Sequence, residues 1–267
     1  MTVTVMRERR LVFGEVAELY DRHRPAYPDR LIEDLIALAR VDHRQPVLEV
    51  GAGTGKATRL FAARGITVVA IEPSAEMAAV ARRNCSAYGN VEIEQNDFEE
   101  WDPAGRRFPL VFCAQAWHWV QPAAGYAKAR QALLPQGILA AFWNRVAWTR
   151  CELREALLAA YQQTGSGLTP DSHTLHPANL CPDADADWEG EITAVQGLAG
   201  PEIRYYDWHH SYSAADYTGL LATLSEIRLL DHGRRTELFA AVTSAINVNG
   251  GRLTLPMRTR LCLAHRR

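Results

Sequence analysis

Three glycines at alternate positions follow a short apolar segment. Gly51, Gly53 and Gly55 come directly after residues 47–50, Val-Leu-Glu-Val. A strand that ends in a glycine-rich turn before a helix presents backbone N–H groups outward, and glycine lets a ligand lie close against the backbone. The turn is therefore predicted to bind an anion or a nucleotide.

The spacing of these glycines disagrees with two common phosphate-binding turns. The dinucleotide fingerprint G-x-G-x-x-G requires a third glycine where this chain has Lys56. The P-loop pattern G-x-x-x-x-G-K-[ST] fits Gly55-Lys56 but requires glycine at Val50 and serine or threonine at Ala57. The ligand is therefore expected to be a nucleotide that needs no pyrophosphate cradle.

Acidic side chains stand at the ends of the next two predicted strands. Glu72 lies 21 positions after Gly51, and Asp97-Phe98 follows the third strand. A carboxylate beside the glycine turn can accept both hydroxyls of a ribose, and a second can accept from the amino group of adenine. Each residue alone has a simpler explanation, because a strand-end Glu is usually solvated and Asp97 could cap a turn. Together they indicate adenosine binding.

These residues lie at the ends of strands that alternate with helices. Predicted strands occupy residues 47–50, 66–71, 91–93, 110–113 and 138–143, and two later strands lie near 202–212 and 252–265. Alternation at this spacing builds a mostly parallel sheet with helices on both faces. The predicted fold is α/β and Rossmann-like, with a seven-stranded, mostly parallel sheet, an antiparallel C-terminal edge strand and helical cap insertions.

The chain is predicted to form a single domain over residues 1–267, with a nucleotide-binding core at 45–144. The predicted cap elements occupy 1–44, 145–200 and 213–250. Residues 163–200 are rich in Gly, Pro and Asp, and we expect this insertion to lie over the carboxyl end of the sheet.

The composition is that of a folded globular protein, with 48% hydrophobic and 22% charged residues over 267 positions. The net charge of −2 argues against nucleic acid as a partner. The longest apolar run, residues 138–143, is far shorter than the roughly 18 residues that cross a bilayer, so no membrane partner is expected. Five cysteines without a close pair indicate reduced thiols and a soluble, cytoplasmic protein.

Metal-binding patterns are incomplete in this sequence. Asp183, Asp185 and Asp187 resemble the start of a calcium loop, but Trp188 stands where that loop requires glycine. A second group lacks the paired spacing of a metal site: Asp171, His173, His176 and Cys181. No metal is predicted.

Six segments together carry a family resemblance. Four of them resemble the class I S-adenosylmethionine-dependent methyltransferases: residues 48–55, 72–74, 96–98 and 134–137. The other two are residues 24–28 (Arg-Pro-Ala-Tyr-Pro) and 114–119 (Ala-Gln-Ala-Trp-His-Trp). The last two are similar to the bacterial small-molecule enzymes of the type 11 and trans-aconitate methyltransferase-like group. The resemblance implies S-adenosylmethionine as cofactor and S-adenosylhomocysteine as product.

The resemblance also implies the following cofactor-binding residues: Tyr20, Arg24, Glu49, Gly51, Ala52, Gly53, Glu72, Pro73, Met77, Asp97, Phe98, Gln115 and Ala116. In this scheme Gly51 and Gly53 let the methionine part of the cofactor approach the backbone. Glu72 holds the ribose, and Asp97 with the backbone of Phe98 holds the adenine.

The same resemblance implies residues beside and above the cofactor. Gln115 and Ala116 would lie near the sulfonium. Tyr20 and Arg24 would close over the cofactor, with Arg24 pairing with its carboxylate as a planar fork. A rigid N-terminal linker is the alternative explanation for residues 24–28.

The implied reaction is an in-line displacement, for which positioning and desolvation supply most of the acceleration. A general base is needed only for a weakly nucleophilic acceptor, and His118 is the candidate because histidine titrates near neutral pH. Trp117 is interpreted as a wall of an apolar acceptor pocket, with aromatic packing as the alternative for both residues. Further aromatic residues favour a hydrophobic or ring-containing small molecule: Trp143, Trp148, Tyr205, Tyr206 and Trp208.

Two other functions stay open from the sequence. A non-catalytic regulator could bind S-adenosylmethionine without turnover. A nicotinamide-dependent oxidoreductase is less favoured because Lys56 replaces the third glycine. The methylated atom of the acceptor can be O, N or C, and the protein is expected to be a monomer or a homodimer.

Overall fold

The computed structural model describes residues 17–165, 167–170 and 188–267. The described residues form a seven-stranded sheet in the order β3-β2-β1-β4-β5-β7-β6. The strands are β1 Val47–Val50, β2 Val68–Ile71, β3 Val91–Glu94, β4 Phe108–Ala114, β5 Leu133–Val146, β6 Leu198–Ser213 and β7 Arg252–Arg266. Strands β1 to β5 are parallel to one another, which confirms the predicted fold class.

The described α-helices flank this sheet. They are α1 Ala17–His23, α2 Asp29–Leu38, α3 Lys56–Ala62, α4 Ala75–Cys85, α5 Pro122–Ala132, α6 Arg154–Gln163, α7 Trp188–Ala194, α8 Ala214–Ala222, α9 Ser225–Arg228 and α10 His232–Val248. Single 3₁₀ turns follow β4 at Trp117–Trp119 and β5 at Trp148–Arg150. In the described ranges, no helix is both long and apolar enough to cross a membrane.

The central strands are apolar because both faces of the sheet are covered. Every residue of β1, β2 and β4 is buried, as expected for parallel strands between two helical layers. One face packs around Leu48, Val111 and Leu139, and the other around Val47, Leu110 and Phe142. The carboxyl ends of β1 and β4 adjoin where the strand order reverses, which is the usual place for a ligand crevice in such sheets.

The C-terminal strand is antiparallel, as predicted, but it is not the edge of the sheet. Strand β7 lies between β5 and β6 and is antiparallel to both, so β6 is the edge strand. Burial explains the order. Most residues of β7 are buried, whereas β6 alternates between half-buried and exposed side chains, which suits an edge that faces solvent.

Two cap elements reach the carboxyl end of the sheet. Ala17 and Tyr20 of α1 pack against Met77 and Val80 of α4. The chain then continues through residues 24–28, which we call the strap, into α2. The following residues of the predicted metal-like patterns lie outside the described residues: Asp171, His173, His176, Cys181, Asp183, Asp185 and Asp187. Residues 166 and 171–187 of the predicted insertion also lie outside them. The single-domain assignment stays a prediction.

Candidate active site

The glycine turn after β1 has left-handed backbone at each of its glycines. The φ angles are +71° at Gly51, +57° at Gly53 and +81° at Gly55. A Cβ atom on Gly51 would lie 2.7 Å from the Cβ of Ala116, whereas a Cβ on Gly53 would meet no atom within 4 Å. Gly51 therefore permits close contact between two loops, and Gly53 borders open space.

Glu72 lies across the crevice from this turn, as its strand-end position predicts. Its Oε2 accepts a hydrogen bond from the Gly53 N–H at 2.7 Å, and its Oε1 accepts from the Ser74 N–H at 2.9 Å. The side chain is only 7% exposed, so it is held in place rather than solvated. A carboxylate has about four lone-pair sites, so each oxygen can still accept from a ribose hydroxyl.

The backbone N–H groups of the turn are not available to a ligand in the way the sequence suggests. The N–H groups of Gly51 and Ala52 donate to the carbonyl of Ile71 at 2.9 and 3.0 Å, and the Gly55 N–H donates to the carbonyl of Ala52 at 2.9 Å. The Gly53 N–H donates to Glu72. The expectation of outward-pointing amides is wrong at these residues, because the pairing of β1 with β2 continues into the turn.

Glu49 is the second buried carboxyl group at this end of the sheet. It is 1% exposed, and its Oε2 accepts from the Thr58 hydroxyl at 2.5 Å. Its Oε1 has no hydrogen-bond partner among the described residues. Burial raises the pKa of Glu49 to about 8, and the negative charge of Glu72 contributes in the same direction. A cation bound beside the turn would stabilise the ionised form.

The predicted adenine residues follow β3. Phe98 is 3% exposed, and its ring centroid lies 6.4 Å from that of Trp101 and 6.3 Å from that of Trp117. The backbone carbonyl of Asp97 accepts from the N–H groups of Glu100 and Trp101, so the chain turns here and leaves the Asp97 side chain half-buried at the strand end.

Pro73 and Met77 flank the start of α4, directly after Glu72. The hydroxyl of Ser74 caps this helix by accepting from the Met77 N–H at 3.3 Å. Met77 is 3% exposed and packs with Tyr20 of α1. The structure thus brings α1 against the predicted adenosine side of the crevice.

Arg24 contacts a partner that the sequence does not suggest. Its guanidinium lies 5.2 Å from the centroid of the Tyr20 ring, its Nε donates to the Thr223 hydroxyl at 2.9 Å, and its Nη2 donates to the Thr223 carbonyl at 3.3 Å. Thr223 lies at the end of α8, within the predicted cap element 213–250. Arg24 therefore joins the strap to that cap element. Its implied pairing with a cofactor carboxylate stays a prediction. Only the guanidinium N–H groups that do not bond Thr223 could form that pair.

Ala116 faces the glycine turn and Gln115 precedes Ala116, while their implied place near the sulfonium stays a prediction. Gln115 has a φ of +64°, which is uncommon for a residue with a side chain. Its N–H donates to the Phe142 carbonyl at 2.8 Å, and its Oε1 accepts from the Asn144 N–H at 3.0 Å. These bonds hold the turn that brings Ala116 against Gly51.

The sequence is similar to that of known methyltransferases over its N-terminal half. Residues 47–137 match the family described as a methyltransferase domain. An uncharacterized methyltransferase of Mycobacterium tuberculosis is 37% identical over 57% of this chain and 60% of its own length. A malonyl-[acyl-carrier protein] O-methyltransferase of Halalkalibacterium halodurans is 29% identical over 48% of this chain and 51% of its own length. The chain therefore spans about 60% or less of the length of these relatives.

Solved structures extend the likeness of fold to nearly the whole chain. A methyltransferase from Anaeromyxobacter dehalogenans has a TM-score of 0.63 at 20% identity, covering 91% of this chain and 97% of its own. An S-adenosylmethionine-dependent methyltransferase from Thiobacillus denitrificans, crystallised with S-adenosylhomocysteine, has a TM-score of 0.52 at 18% identity, covering 94% and 97%. Residues 47–137 therefore match a methyltransferase domain, and the chain as a whole has the fold of these solved methyltransferases.

Two residues at this end of the sheet fit S-adenosylmethionine on chemical grounds. Gly53 borders open space where a side chain would stand. Glu49 has a buried oxygen without a partner among the described residues, and a nearby sulfonium or ammonium would offset the cost of its ionisation.

Trp117 is buried in an aromatic cluster. Its side chain is 4% exposed and packs between Phe98 at 6.3 Å and Tyr126 at 5.2 Å, measured between ring centroids. It is buried because the 3₁₀ turn after β4 directs its first residue inward. This environment favours the alternative of aromatic packing, and the role as a pocket wall stays a prediction.

His118 is a buried, neutral ring whose Nδ1 already accepts a hydrogen bond. Its Nδ1 accepts from the Trp143 indole N–H at 3.4 Å, so the neutral ring carries its proton on Nε2. Burial lowers the pKa of His118 to about 3. A general base at neutral pH needs an available lone pair and a pKa near the working pH. The geometry therefore favours His118 as a neutral hydrogen-bond donor.

The aromatic residues that suggested a ring-containing acceptor are mostly engaged in the fold. Trp143 and Trp148 are 5% and 6% exposed. The Tyr206 hydroxyl donates to Asp34 at 2.9 Å, and the Trp208 indole donates to Thr259 at 2.9 Å.

Sequence reasoning missed Asn144 and Thr259, which the structure places at the centre of this side of the site. Their residue types did not indicate this position, because polar residues within strands are common.

Proposed function

We propose that this protein transfers a methyl group from S-adenosylmethionine to an O, N or C atom of a small molecule, releasing S-adenosylhomocysteine. The observation that carries the proposal is the arrangement of the crevice between β1, β2 and β4. Glu72 is bound to the glycine turn beside the open side of Gly53. Ala116 closes the turn from the opposite side at Gly51.

The cofactor supplies an electrophilic methyl carbon on a sulfonium. The acceptor's lone pair forms the new bond to that carbon, the electron pair of the carbon–sulfur bond stays on sulfur, and a proton leaves an acceptor that carries one. In this proposal Glu72 orients the ribose, and Asp97 with the Phe98 backbone orients the adenine. Well-oriented reactants gain roughly 7–11 kcal/mol from proximity alone, so positioning can supply much of the catalysis.

The remaining residues of the proposal surround the methionine part of the cofactor. Gly51 and Ala52 shape the turn beneath it, and Pro73 and Met77 close the adenosine side. Gln115 and Ala116 form the wall beside the sulfur, with Tyr20 and Arg24 above. Glu49 provides the buried carboxyl group nearest the positive charge. His118 donates a hydrogen bond rather than accepting a proton, so this proposal needs an acceptor that is already nucleophilic or that loses its proton to water.

Calorimetric titration with S-adenosylmethionine, S-adenosylhomocysteine and NAD tests the binding step. We expect both adenosyl ligands to bind and NAD not to bind. Tight NAD binding without binding of the adenosyl ligands would support an oxidoreductase and overturn the proposal.

Turnover is tested with methyl-labelled S-adenosylmethionine and a panel of phenols, amines, carboxylic acids and activated methylene compounds. Release of S-adenosylhomocysteine with label transferred to one class supports the proposal and names that class. Glu72→Ala serves as the low-affinity control. Cofactor binding without turnover on every class would instead favour the non-catalytic regulator.

A further inference from the structure

Asn144, on β5, is the centre of a buried set of hydrogen bonds. It is 1% exposed, and its backbone N–H donates to the Gln115 side chain at 3.0 Å. Its Nδ2 donates to the Ala26 carbonyl at 2.8 Å, and its Oδ1 accepts from the Thr259 hydroxyl at 2.6 Å. The Trp208 indole N–H in turn donates to Thr259 at 2.9 Å. The Asn144 side chain therefore connects the strap to β7, while its backbone N–H bonds the loop that follows β4.

The two groups that Asn144 holds form facing walls of the crevice. Gln115 keeps its left-handed backbone through bonds to β5 and so presents Ala116 to Gly51. Strain of this kind persists only where surrounding contacts fix it. On the other wall, the strap runs across the sheet, and its Tyr27 ring meets the Phe142 ring edge-on at 4.9 Å between centroids.

The side-chain amide of Asn144 satisfies both of its partners at every pH, because it carries a separate donor and acceptor. The Thr259 hydroxyl needs an acceptor, and the Ala26 carbonyl needs a donor. An apolar side chain provides neither group, and a carboxylate provides only the acceptor. A buried carbonyl left without a donor is costly, so the strap would move to regain a partner.

We propose that Asn144 is a positioning residue for methyl transfer, whose side chain holds the strap over the bound cofactor by joining the Ala26 carbonyl to Thr259. This inference rests on the proposed function. The side chain acts through the Ala26 carbonyl, and it needs no contact with cofactor or acceptor.

Asn144→Asp separates positioning from mere stability, because its hydrogen bonding changes with pH. The neutral acid keeps an acceptor for Thr259 and an O–H donor for Ala26, whereas the ionised form loses the donor and faces the carbonyl with a charge. Burial raises the pKa of such a carboxyl group into the range that can be tested. We expect S-adenosylhomocysteine affinity near wild type at about pH 5 and about tenfold weaker at about pH 8.

The pH comparison must take neighbouring charged groups into account. The described hydrogen-bond partners of the Asn144 side chain are a carbonyl and a hydroxyl, and neither titrates in this range. The strap carries Arg24, which stays charged, and Tyr27, whose pKa burial raises above its usual value of 10.0. Glu49 has a pKa of about 8, and Glu72 and Arg145 also lie at this end of the sheet. Each variant is therefore compared with wild type at the same pH.

Four further variants complete the experiment. Asn144→Ala should bind about tenfold more weakly at every pH. Thr259→Val should weaken binding, and Thr259→Ser, which keeps the hydroxyl, should restore it; this pair serves if Asn144→Asp does not fold. Asn90→Asp is the matched control, since Asn90 donates its Nδ2 to the carbonyls of Ala62 and Ile66 at 3.1 and 2.8 Å, at the opposite end of the strands.

The control should lose thermal stability without losing cofactor affinity. If Asn144→Asp or Thr259→Val lowers only the unfolding temperature, with wild-type affinity at all pH values, Asn144 has a structural role and the inference is wrong. If wild type itself binds neither adenosyl ligand, the proposed function fails, and this outcome is distinct from the first.

Discussion

The cofactor side of the crevice, at the ends of β1 and β2, is built from sequence neighbours, whereas the acceptor side, at the ends of β4 and β5, joins distant segments. On the first side, Glu72 accepts from the N–H of Gly53, 19 positions away. On the second, Asn144 donates to the carbonyl of Ala26, 118 positions away. The first side depends on backbone conformation and strand-end carboxyl groups, and the second on buried side-chain hydrogen bonds.

The two sides should respond differently to substitutions. Changes on the cofactor side should alter the affinity for both S-adenosylmethionine and S-adenosylhomocysteine, because they alter the shape of the binding turn. Changes near His118 should leave that affinity intact and alter turnover modestly. Measuring ligand affinity and turnover separately for each variant therefore tests whether the two sides are independent.

Gly51→Ala should have the largest effect. Left-handed backbone costs a residue with a side chain about 1–2 kcal/mol, and the new Cβ would stand 2.7 Å from that of Ala116, which adds about 1–3 kcal/mol of overpacking. Because the turn or the facing loop must move, we expect S-adenosylhomocysteine affinity to fall by roughly 100-fold or more.

Gly53→Ala is the matched variant for this prediction. It has the same left-handed strain, with a φ of +57°, but meets no protein atom within 4 Å. Its unfolding temperature should therefore stay closer to wild type than that of Gly51→Ala, while its affinity still falls because the new methyl group occupies the ligand's side. Wild-type affinity in both variants would contradict the assignment of the turn.

Glu72→Ala should have the next largest effect. It removes the acceptor for any ribose hydroxyls and leaves the Gly53 and Ser74 N–H groups without their partner. Charge-assisted hydrogen bonds contribute about 1.5–3 kcal/mol, so calorimetry should record a loss of affinity of roughly 10- to 150-fold. Glu76→Ala, which removes an exposed carboxylate in the first turn of the following helix α4, should bind normally; an equal loss in both variants would point to general electrostatics instead.

Glu49 should make the stability of the ligand-free protein depend on pH. Its pKa is about 8 in the folded protein and about 4.5 in the unfolded chain. Between these values the folded state binds more protons, so this contribution is fully present below about pH 4.5 and is lost as the pH rises through about 8. The free energy of unfolding should decline by at most about 1.4 kcal/mol per pH unit in this range.

Thermal unfolding of wild type and Glu49→Gln from about pH 5 to about pH 9 measures this contribution. The amide is neutral at every pH, so the variant should lose the part of the decline that belongs to Glu49. The same slope in both proteins would assign the decline to other groups. The comparison also sharpens the contrast between the two carboxyl groups, since Glu72 has two backbone donors and Glu49 has a single hydroxyl donor among the described residues.

The sequence predicts the cofactor side well because its signals are local. Strand, glycine turn and strand-end acid occur within residues 47–72, so strand periodicity and spacing indicate the parallel pairing and the position of Glu72. It does not predict that strand pairing uses the N–H groups of Gly51 and Ala52. That outcome depends on how far the β1–β2 pairing continues, which residue types alone do not determine.

The acceptor side could not be predicted in the same way. The inward direction of Trp117 and the Nδ1 contact of His118 depend on a single 3₁₀ turn, and a rotation by one residue would exchange their environments. The interior position of β7 follows from burial on both of its faces, which becomes apparent only after β6 and the cap helices are placed. Asn144 functions through segments that converge only in the folded chain.

His118→Ala should have the smallest effect, and it tests the acceptor side directly. A general base contributes about 10²–10⁴-fold to the rate, whereas loss of one neutral hydrogen bond contributes about 10-fold or less. Since burial lowers the pKa of His118 to about 3, the ring is neutral throughout the usual assay range. The acidic limb of the pH–rate profile should therefore persist in the variant, and His118→Gln, which keeps an N–H donor, should recover most of the rate. Disappearance of that limb, together with a loss above about 100-fold, would restore His118 as the base.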